Sequence, residues 1–131
     1  MDIKDFAHVV ATKISFNEAV VSVIKAVEQK GWALFQVYDI TERLAAKGFK
    51  HNPLKIIEIC SAKYASRFLN KNKLISLCMP CKIIVFEQDK MVFIASMKPS
   101  IMAQFFTEIS KDEAEEVGKE IIEIINAAIV S

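Results

Sequence analysis

Two apolar segments close together in the second half of the chain constrain its fold more than any other feature. Residues 82–87 and 91–97 are rich in β-branched and aromatic side chains, and only Gln88-Asp89-Lys90 separates them. This spacing predicts a β-hairpin, two antiparallel strands joined by a tight turn. A hairpin here breaks a regular alternation of strand, helix and parallel strand. The expected fold class is therefore α+β, a two-layer sandwich with a mixed or antiparallel sheet and helices packed on one face.

Signals for helix starts precede three runs with helical periodicity. In each, a Ser or Asp is followed three residues later by Glu, the spacing of a capping box. The pairs are Ser15 with Glu18, Asp39 with Glu42, and Ser110 with Glu113. Gly31 and Gly48 stand where the first two helices are expected to end. The pattern also predicts strands at 6–14, 32–38 and 54–61, helices at 62–69 and 101–109, and an extended segment or a helix end at 74–79.

Length and charge limit the domain organisation and the partners. The chain has 131 residues, 53% of them apolar, and its 17 basic and 16 acidic side chains leave a formal net charge of +1. A chain of this size is expected to form a single domain, residues 1–131, around one core. The small net charge provides no field that would attract nucleic acid or a membrane surface, so we expect neither as a partner.

The N-terminus and the cysteine count bear on location. Charges recur too often for a membrane span, which needs about 20 predominantly apolar residues. Acidic side chains at Asp2 and Asp5 stand where a secretory signal carries positive charge. Three cysteines, an odd number, suit a reducing compartment, and the expected location is cytoplasmic. The three glycines are too scattered for a phosphate-binding loop, and the sequence identifies no cofactor.

The segment Cys78-Met79-Pro80-Cys81 is a C-x-x-C motif, whose spacing lets two sulfurs close a disulfide or bind one metal ion. The first hypothesis is a thiol-dependent redox module or enzyme. In it Cys81 is the attacking thiolate, Cys78 the resolving thiol and Lys82 the electrostatic activator. A strand sequence follows the motif, so the helix dipole that lowers thiol pKa in thioredoxin-like sites is not expected here.

Two further hypotheses concern the same cysteines. In the second, Cys60, Cys78 and Cys81 bind zinc or iron, and His8, His51 or the C-x-x-C of a second chain completes the ligand set. In the third, all three cysteines are small buried apolar side chains. The protein is then a binding module for a small ligand, and the sequence does not decide whether it is an enzyme.

Charge is distributed unevenly along the chain. The segment 43–73 has a single acid, Glu58, and eight basic residues: Arg43, Lys47, Lys50, Lys55, Lys63, Arg67, Lys71 and Lys73. From Glu108 onward, acids outnumber bases. A basic segment can bind a small anionic ligand, and the acidic segment can meet it across a subunit interface. The alternative is that both segments are solvated faces.

Short motifs along most of the chain resemble one uncharacterised bacterial and archaeal family, the domain of unknown function numbered 302. They are Gly31-Trp32, Asp39-Ile40, Ile57-Glu58-Ile59-Cys60, Met79-Pro80-Cys81-Lys82-Ile83 and Pro99-Ser100. The resemblance implies a two-layer α/β sandwich that commonly forms a dimer. It implies no established activity and no catalytic residues.

Apolar side chains also favour a homodimer. The first and last long helices and at least two strands are apolar over more than one face. A two-layer monomer of this length needs less apolar surface to cover its sheet, so part of the excess is expected to meet a second subunit.

Overall fold

A five-stranded antiparallel sheet forms one layer of the protein. The computed structural model describes residues 2–130. The strands are β1 (Ala7–Thr12), β2 (Ala33–Asp39), β3 (Leu54–Cys60), β4 (Cys81–Gln88) and β5 (Met91–Met97). Their order is β1-β5-β4-β3-β2, and every neighbouring pair is antiparallel. The predicted α+β class is confirmed, with a wholly antiparallel sheet.

Helices form the second layer. They are α2 (Phe16–Gln29), α4 (Ala62–Lys71), α5 (Ser100–Phe105) and α6 (Lys111–Ile129), with a 3₁₀ helix at Lys73–Leu77. The short helices α1 (Ile3–Phe6) and α3 (Ile40–Ala45) contribute no buried residue. The two longest, α2 and α6, pack against each other, and their buried side chains join those of the strands in one apolar cluster. None of the helices within residues 2–130 is long and apolar enough to cross a membrane.

The two faces of the sheet differ because side chains alternate along each strand. On β4, Ile83 and Val85 are completely buried against the helices. Ile84 and Phe86 point the other way, onto the surface that also carries Phe93 of β5, and are only partly buried. We call this second surface the open face. Helix α3 borders it at one end, where Leu44 lines a cavity together with Ile84 and Phe86.

The predicted helix starts are confirmed. The N–H groups of Glu18 and Glu42 donate to the side chains of Ser15 and Asp39 at 3.2 and 3.0 Å. Ser110 and Glu113 form the full reciprocal box, because the Ser110 N–H also donates to the Glu113 carboxylate at 3.1 Å. These side chains satisfy backbone donors that a helix N-terminus leaves unpaired.

Helix α2 ends in a Schellman motif that positions Trp32. Gly31 has a φ of +84°, and the Trp32 N–H donates back to the Val27 carbonyl at 3.1 Å. Glycine adopts this left-handed conformation without the steric cost that a Cβ brings. The turn places the Trp32 indole in the core, where 5% of the residue is exposed.

Three predicted elements differ in extent from the structure. The strand predicted at 6–14 ends at Thr12, whose hydroxyl accepts the N–H of Ile14 at 3.3 Å. The segment 74–79 lies largely in the 3₁₀ helix, which begins after Asn72 because the Asn72 side chain accepts the Leu74 N–H at 2.9 Å. The helix predicted at 101–109 stops at Phe105. In each case a local side-chain bond or turn outweighs the periodicity.

The hairpin turn between β4 and β5 uses two residues in the left-handed region. Asp89 and Lys90 have φ values of 53° and 65°. Two consecutive positive φ angles are typical of a type I′ turn, whose twist matches that of the flanking strands. Such turns usually contain Asn-Gly, so the lysine is held in a conformation that costs a side-chain-bearing residue about 1–2 kcal/mol.

We expect Lys90→Gly to stabilise the protein by about 0.5–1 kcal/mol, since glycine removes this cost but loses more entropy on folding. Urea denaturation measures the difference. Gln88→Gly, which places glycine at the end of β4, is the matched control and should destabilise. Equal effects of the two substitutions would contradict the assigned turn.

Candidate functional site

The C-x-x-C segment connects the 3₁₀ helix to β4. Cys78 follows the 3₁₀ helix, and its N–H donates to the Ile75 carbonyl at 2.9 Å. The Met79–Pro80 peptide bond is cis, and Cys81 is the first residue of β4. All three cysteines are free thiols, with Cys60 buried and the other two partly exposed. The strand predicted after the motif is confirmed.

Cys81 lies in an environment that keeps its thiol protonated. It is opposite Ile59 of β3, beside Cys60. Burial raises the pKa of Cys81 to about 12, and the nearby sulfurs of Cys60 and Cys78 contribute to the increase. Burial also raises the pKa of Cys60. Because the thiolate is the nucleophile, this geometry gives no support to Cys81 as the attacking group.

Lys82 is placed on the other side of the strand. Successive strand residues point to opposite faces, so the Lys82 side chain lies on the open face while Cys81 contacts the core beneath the sheet. Lys82 is exposed and opposite Glu58 in register. It is therefore not positioned to lower the thiol pKa of Cys81, as the sequence hypothesis requires.

The metal hypothesis finds no support within one chain. Among residues 2–130, no group of three or more His, Cys, Asp or Glu side chains is arranged to hold a metal ion. His8 is on β1 opposite Ser96, and His51 is in the loop before β3. They line two different cavities, and neither cavity contains Cys60, Cys78 or Cys81.

A cavity of about 390 Å³ opens beside the motif. Cys78, Pro80 and Cys81 line it together with open-face residues of β1, β4 and β5. Most of its lining is apolar, including Phe6, Leu77, Met79, Ile84, Ala95, Met97 and Met102. An apolar cavity of this size with a few polar groups is typical of small-molecule sites.

The polar end of this cavity is formed by Glu58 and Lys82. The hydroxyl of Tyr38, on the neighbouring strand, donates to Glu58 at 2.8 Å. This bond raises the pKa of Tyr38 and fixes one carboxylate oxygen of Glu58. No carboxylate within residues 2–130 lies within ion-pair distance of Lys82. The cavity thus offers one anchored anion and one cation to a ligand.

Sequence reasoning missed Glu58 and Tyr38. Glu58 is the one charged side chain inside the apolar run Ile56-Ile57-Glu58-Ile59, which is a signal that it faces something other than the core. Tyr38 has no comparable signal, because its contact with Glu58 depends on the register of β2 against β3.

Comparison with known protein families identifies the family of this chain. The model of a family described as domain of unknown function DUF302 matches residues 8–128. The chain belongs to the DUF302 family. The crystal structure of an uncharacterized conserved DUF302 protein from Bacillus stearothermophilus superposes with a TM-score of 0.87 at 25% identity. The match covers 94% of this chain and 98% of that one. No curated protein matches the chain.

An aromatic cluster lies next to Cys60 and Cys81 in the core of this DUF302 chain. Trp32, Tyr64 and Phe68 pack in series, with ring centroids 6.3 and 6.4 Å apart. The Tyr64 hydroxyl donates towards the carboxylates of Glu116, at 3.0 Å, and Glu120. The Trp32 indole N–H also donates to Glu120, at 3.0 Å. This network joins α4 and the start of β2 to α6.

The basic and acidic segments of this DUF302 chain contact each other within one chain. Lys71 bonds both carboxylate oxygens of Glu113 at 2.9 and 2.8 Å, and Arg67 lies 3.9 Å from Glu116. These basic side chains of α4 face α6. The part of segment 43–73 that forms α4 is therefore neutralised internally, which weakens the hypothesis that the segment binds an anion.

We expect acid to destabilise the protein through Glu113 and Glu120. The hydrogen bond from Lys71 lowers the pKa of Glu113. Burial acts to raise the pKa of Glu120, but the bonds from Tyr64 and Trp32 together with the charges of Lys63 and Lys30 lower it more, and the net shift is downward. A lowered folded-state pKa contributes stability above the ordinary glutamate pKa of about 4.3, and that stability is lost as pH falls through the folded value.

Urea denaturation at a series of pH values between neutral and acidic measures this dependence. The double variant Glu113→Gln and Glu120→Gln should be less stable than the parent at neutral pH and should lose less stability on acidification. Glu115, whose carboxylate is 3.8 Å from the exposed Lys111, is the control position. Identical pH profiles for the parent and the double variant would contradict the assignment.

Proposed function

We propose that this DUF302 protein is a small-molecule binding module whose site is the cavity beside Cys78-Met79-Pro80-Cys81. The observation that carries the proposal is the cavity of about 390 Å³, apolar along most of its wall, with Glu58 and Lys82 as the charged residues of its lining. A ligand with an apolar body and one polar group fits this lining. Cys78 and Cys81 form part of the wall.

The cysteines support binding better than they support catalysis. The Cys81 thiol, with a pKa of about 12, is protonated at neutral pH. It therefore acts as a small apolar side chain in the cavity wall and is a poor nucleophile. The Glu58 carboxylate is already oriented by Tyr38, so a ligand does not have to order it on binding.

Titration with the fluorescent probe 8-anilinonaphthalene-1-sulfonate, an aromatic body with one anionic group, tests the site. Ala7→Phe, which places a ring inside the cavity from β1, should weaken probe binding by about tenfold or more. Ala11→Phe is the matched control, because Ala11 is on the same strand and the same face but outside the cavity. Failure of the parent to bind the probe, or equal affinities of the two variants, would contradict the proposal.

Alkylation gives a second measurement on the same site. Since Cys78 lines the cavity and is partly exposed, saturating probe should slow its reaction with iodoacetamide. A probe bound elsewhere on the surface leaves the rate of Cys78 unchanged. The two readouts together therefore locate the bound probe.

Thiol exchange is the second candidate, favoured by the partial exposure of Cys78 at the cavity wall. In this reaction the Cys78 thiolate attacks a partner disulfide and releases one partner thiol. Cys81 then loses its proton to solvent, a step that its raised pKa makes slow, attacks the Cys78 sulfur and releases the second thiol, so the partner is reduced by two electrons and the pair is oxidised. The roles are thus the reverse of those expected from the sequence.

Incubation with oxidised glutathione followed by mass spectrometry tests this exchange. Cys81→Ser should trap a mixed disulfide on Cys78, whereas the parent should form the Cys78–Cys81 disulfide. A parent that stays fully reduced, with no adduct on Cys78 of the variant, would contradict thiol exchange and leave the binding proposal intact.

We also propose a homodimer formed through the open face, in a cytoplasmic location that the three free thiols favour. The open face carries the stacked rings of Phe86 and Phe93, and Val9 beside them is 46% exposed. Light scattering at micromolar concentration should report a dimer. Val9→Lys should give a monomer, whereas Val21→Lys, at an exposed valine on α2, should not. A monomeric parent would overturn this assembly.

A further inference from the structure

A second cavity, of about 380 Å³, lies between α6 and the paired strands β1 and β5. It is on the helix side of the sheet, whereas the cavity at the C-x-x-C segment opens on the other side. The end of β5 separates the two, and Ser96, Met97 and Pro99 contribute to both. The proposed function does not use this second cavity.

A histidine without a hydrogen-bond partner lines the second cavity. His8 is on the helix-facing side of β1, opposite the buried Ser96 of β5. Among the side chains of residues 2–130, the His8 Nε2 is the buried polar atom that has no partner. Leaving such an atom unpaired costs about 1–3 kcal/mol, so its retention needs an explanation. A ligand group that bonds to Nε2 supplies one.

The charges around the cavity favour an anionic ligand. Two acidic residues at the cavity wall are already occupied, since Glu123 pairs with Lys30 and Glu115 is 3.8 Å from Lys111. Lys98 and Lys119 also line the cavity, and no carboxylate within residues 2–130 lies within ion-pair distance of either. The available charge is therefore positive.

The rest of the wall of the second cavity is apolar, and α6 lies close to the end of β5 there. Ala114, Ile121 and Ile122 of α6 contribute side chains to it. Gly118, on the same helix, lies against Pro99, and a Cβ at this position would be 3.3 Å from the proline Cδ. The glycine thus lets α6 approach the end of β5 while a space remains next to His8.

We propose that this second cavity binds a small organic carboxylate. Lys98 and Lys119 attract the carboxylate, the His8 Nε2–H donates a hydrogen bond to it, and the hydrocarbon part of the ligand packs on Ile121 and Ile122. Charge-assisted bonds of this kind are roughly twice as strong as neutral ones, which favours a carboxylate over an uncharged analogue.

Hexanoate is the probe, and 1-hexanol, with the same hydrocarbon chain and no charge, is its control. In titrations followed by NMR of the imidazole resonances, hexanoate should shift the His8 signals in a saturable way with a Kd of about 1 mM or lower. The exposed His51 should not respond. Hexanol should bind about tenfold or more weakly.

Variants assign the contacts. The double variant Lys98→Met and Lys119→Met should weaken hexanoate binding by about tenfold or more, and Lys25→Met, at an exposed position of α2 outside the cavity, should leave it unchanged. Ile122→Trp, which fills the space from a partly exposed position, should abolish binding. His8→Leu should weaken it, and the lysine variants keep the test valid if the His8 variant does not fold.

Several results would overturn the proposal: hexanoate and hexanol binding equally, hexanoate binding without any shift of the His8 signals, or no binding up to about 10 mM. Ala7→Phe, which fills the cavity at the C-x-x-C segment, should leave hexanoate binding intact. Failure of the first site therefore does not imply failure of the second.

Discussion

We expect Cys81 to react with iodoacetamide about a thousandfold or more slowly in the folded protein than in the unfolded chain at neutral pH. The pKa of a cysteine in an unfolded chain is about 8.5, and burial raises the pKa of Cys81 to about 12. Alkylation proceeds through the thiolate, whose fraction falls tenfold for each unit by which the pKa exceeds the pH. The difference in rate follows directly from this change in thiolate fraction.

Single-cysteine proteins make the measurement unambiguous. The double variant Cys60→Ser and Cys78→Ser retains only Cys81, and Cys60→Ser with Cys81→Ser retains only the partly exposed Cys78. The Cys78 protein should react much faster than the Cys81 protein when both are folded. Similar rates would contradict the assignment of Cys81 as a protonated wall residue, and rates in urea provide the unfolded reference.

Phe68→Ala should destabilise the protein by about 3–5 kcal/mol, the usual cost of removing a buried aromatic ring. Only 1% of Phe68 is exposed, and its ring stacks on Tyr64 in the aromatic cluster beneath the cysteines. This loss is a large fraction of the 5–15 kcal/mol by which a typical domain is stable. Urea denaturation followed by Trp32 fluorescence reports it, because Trp32 belongs to the same cluster.

Phe105→Ala is the matched control for that experiment. Phe105 ends α5 and is 75% exposed, so its loss should change the free energy of unfolding by no more than about 0.5 kcal/mol. If the two substitutions change the free energy of unfolding by similar amounts, Phe68 does not anchor α4 to the core.

The fold could be predicted from the sequence where short-range chemistry determines it. Ser110 and Glu113 begin α6 through bonds between residues three apart, and the period-two pattern around Gln88-Asp89-Lys90 marks the hairpin. The order of the strands was not accessible in this way. The pairing of β1 with β5 joins residues 80 to 90 positions apart, from Thr12 with Val92 to Ala7 with Met97, and no local pattern encodes it.

In the candidate site, too, the sequence predicts local features but not the contacts that the fold creates. The cysteine pair at 78 and 81 is visible in the sequence, but its chemistry depends on the burial of Cys81 and on the nearby sulfur of Cys60, which the fold decides. Successive residues of a strand point to opposite faces of the sheet, so the predicted strand already places the Lys82 side chain on the opposite face from that of Cys81. This alternation argues against Lys82 as the activator of the Cys81 thiol. The contacts between Tyr38 and Glu58 and between His8 and Ser96 depend on strand register, so only the structure brings them together.

The charge segments show that opposite charge surpluses do not by themselves identify which surfaces meet. The surplus of bases in 43–73 and of acids after residue 108 is real, and the two do attract each other. The sequence contains no information on whether such segments meet in one chain or between two. The packing of α4 beside α6 brings Lys71 and Glu113 into contact inside one chain.

Strand β2 forms an edge of the sheet, and its irregularity has a consequence for solubility. Its register against β3 shifts between Leu34 and Gln36, and the first four residues of the strand are exposed, Phe35 by 55%. A straight apolar edge is a template on which another chain can add a strand and begin aggregation. The bulge interrupts the row of backbone donors and acceptors at the most apolar point of that edge. The protein can therefore keep an exposed phenylalanine there without offering a continuous ladder for self-association.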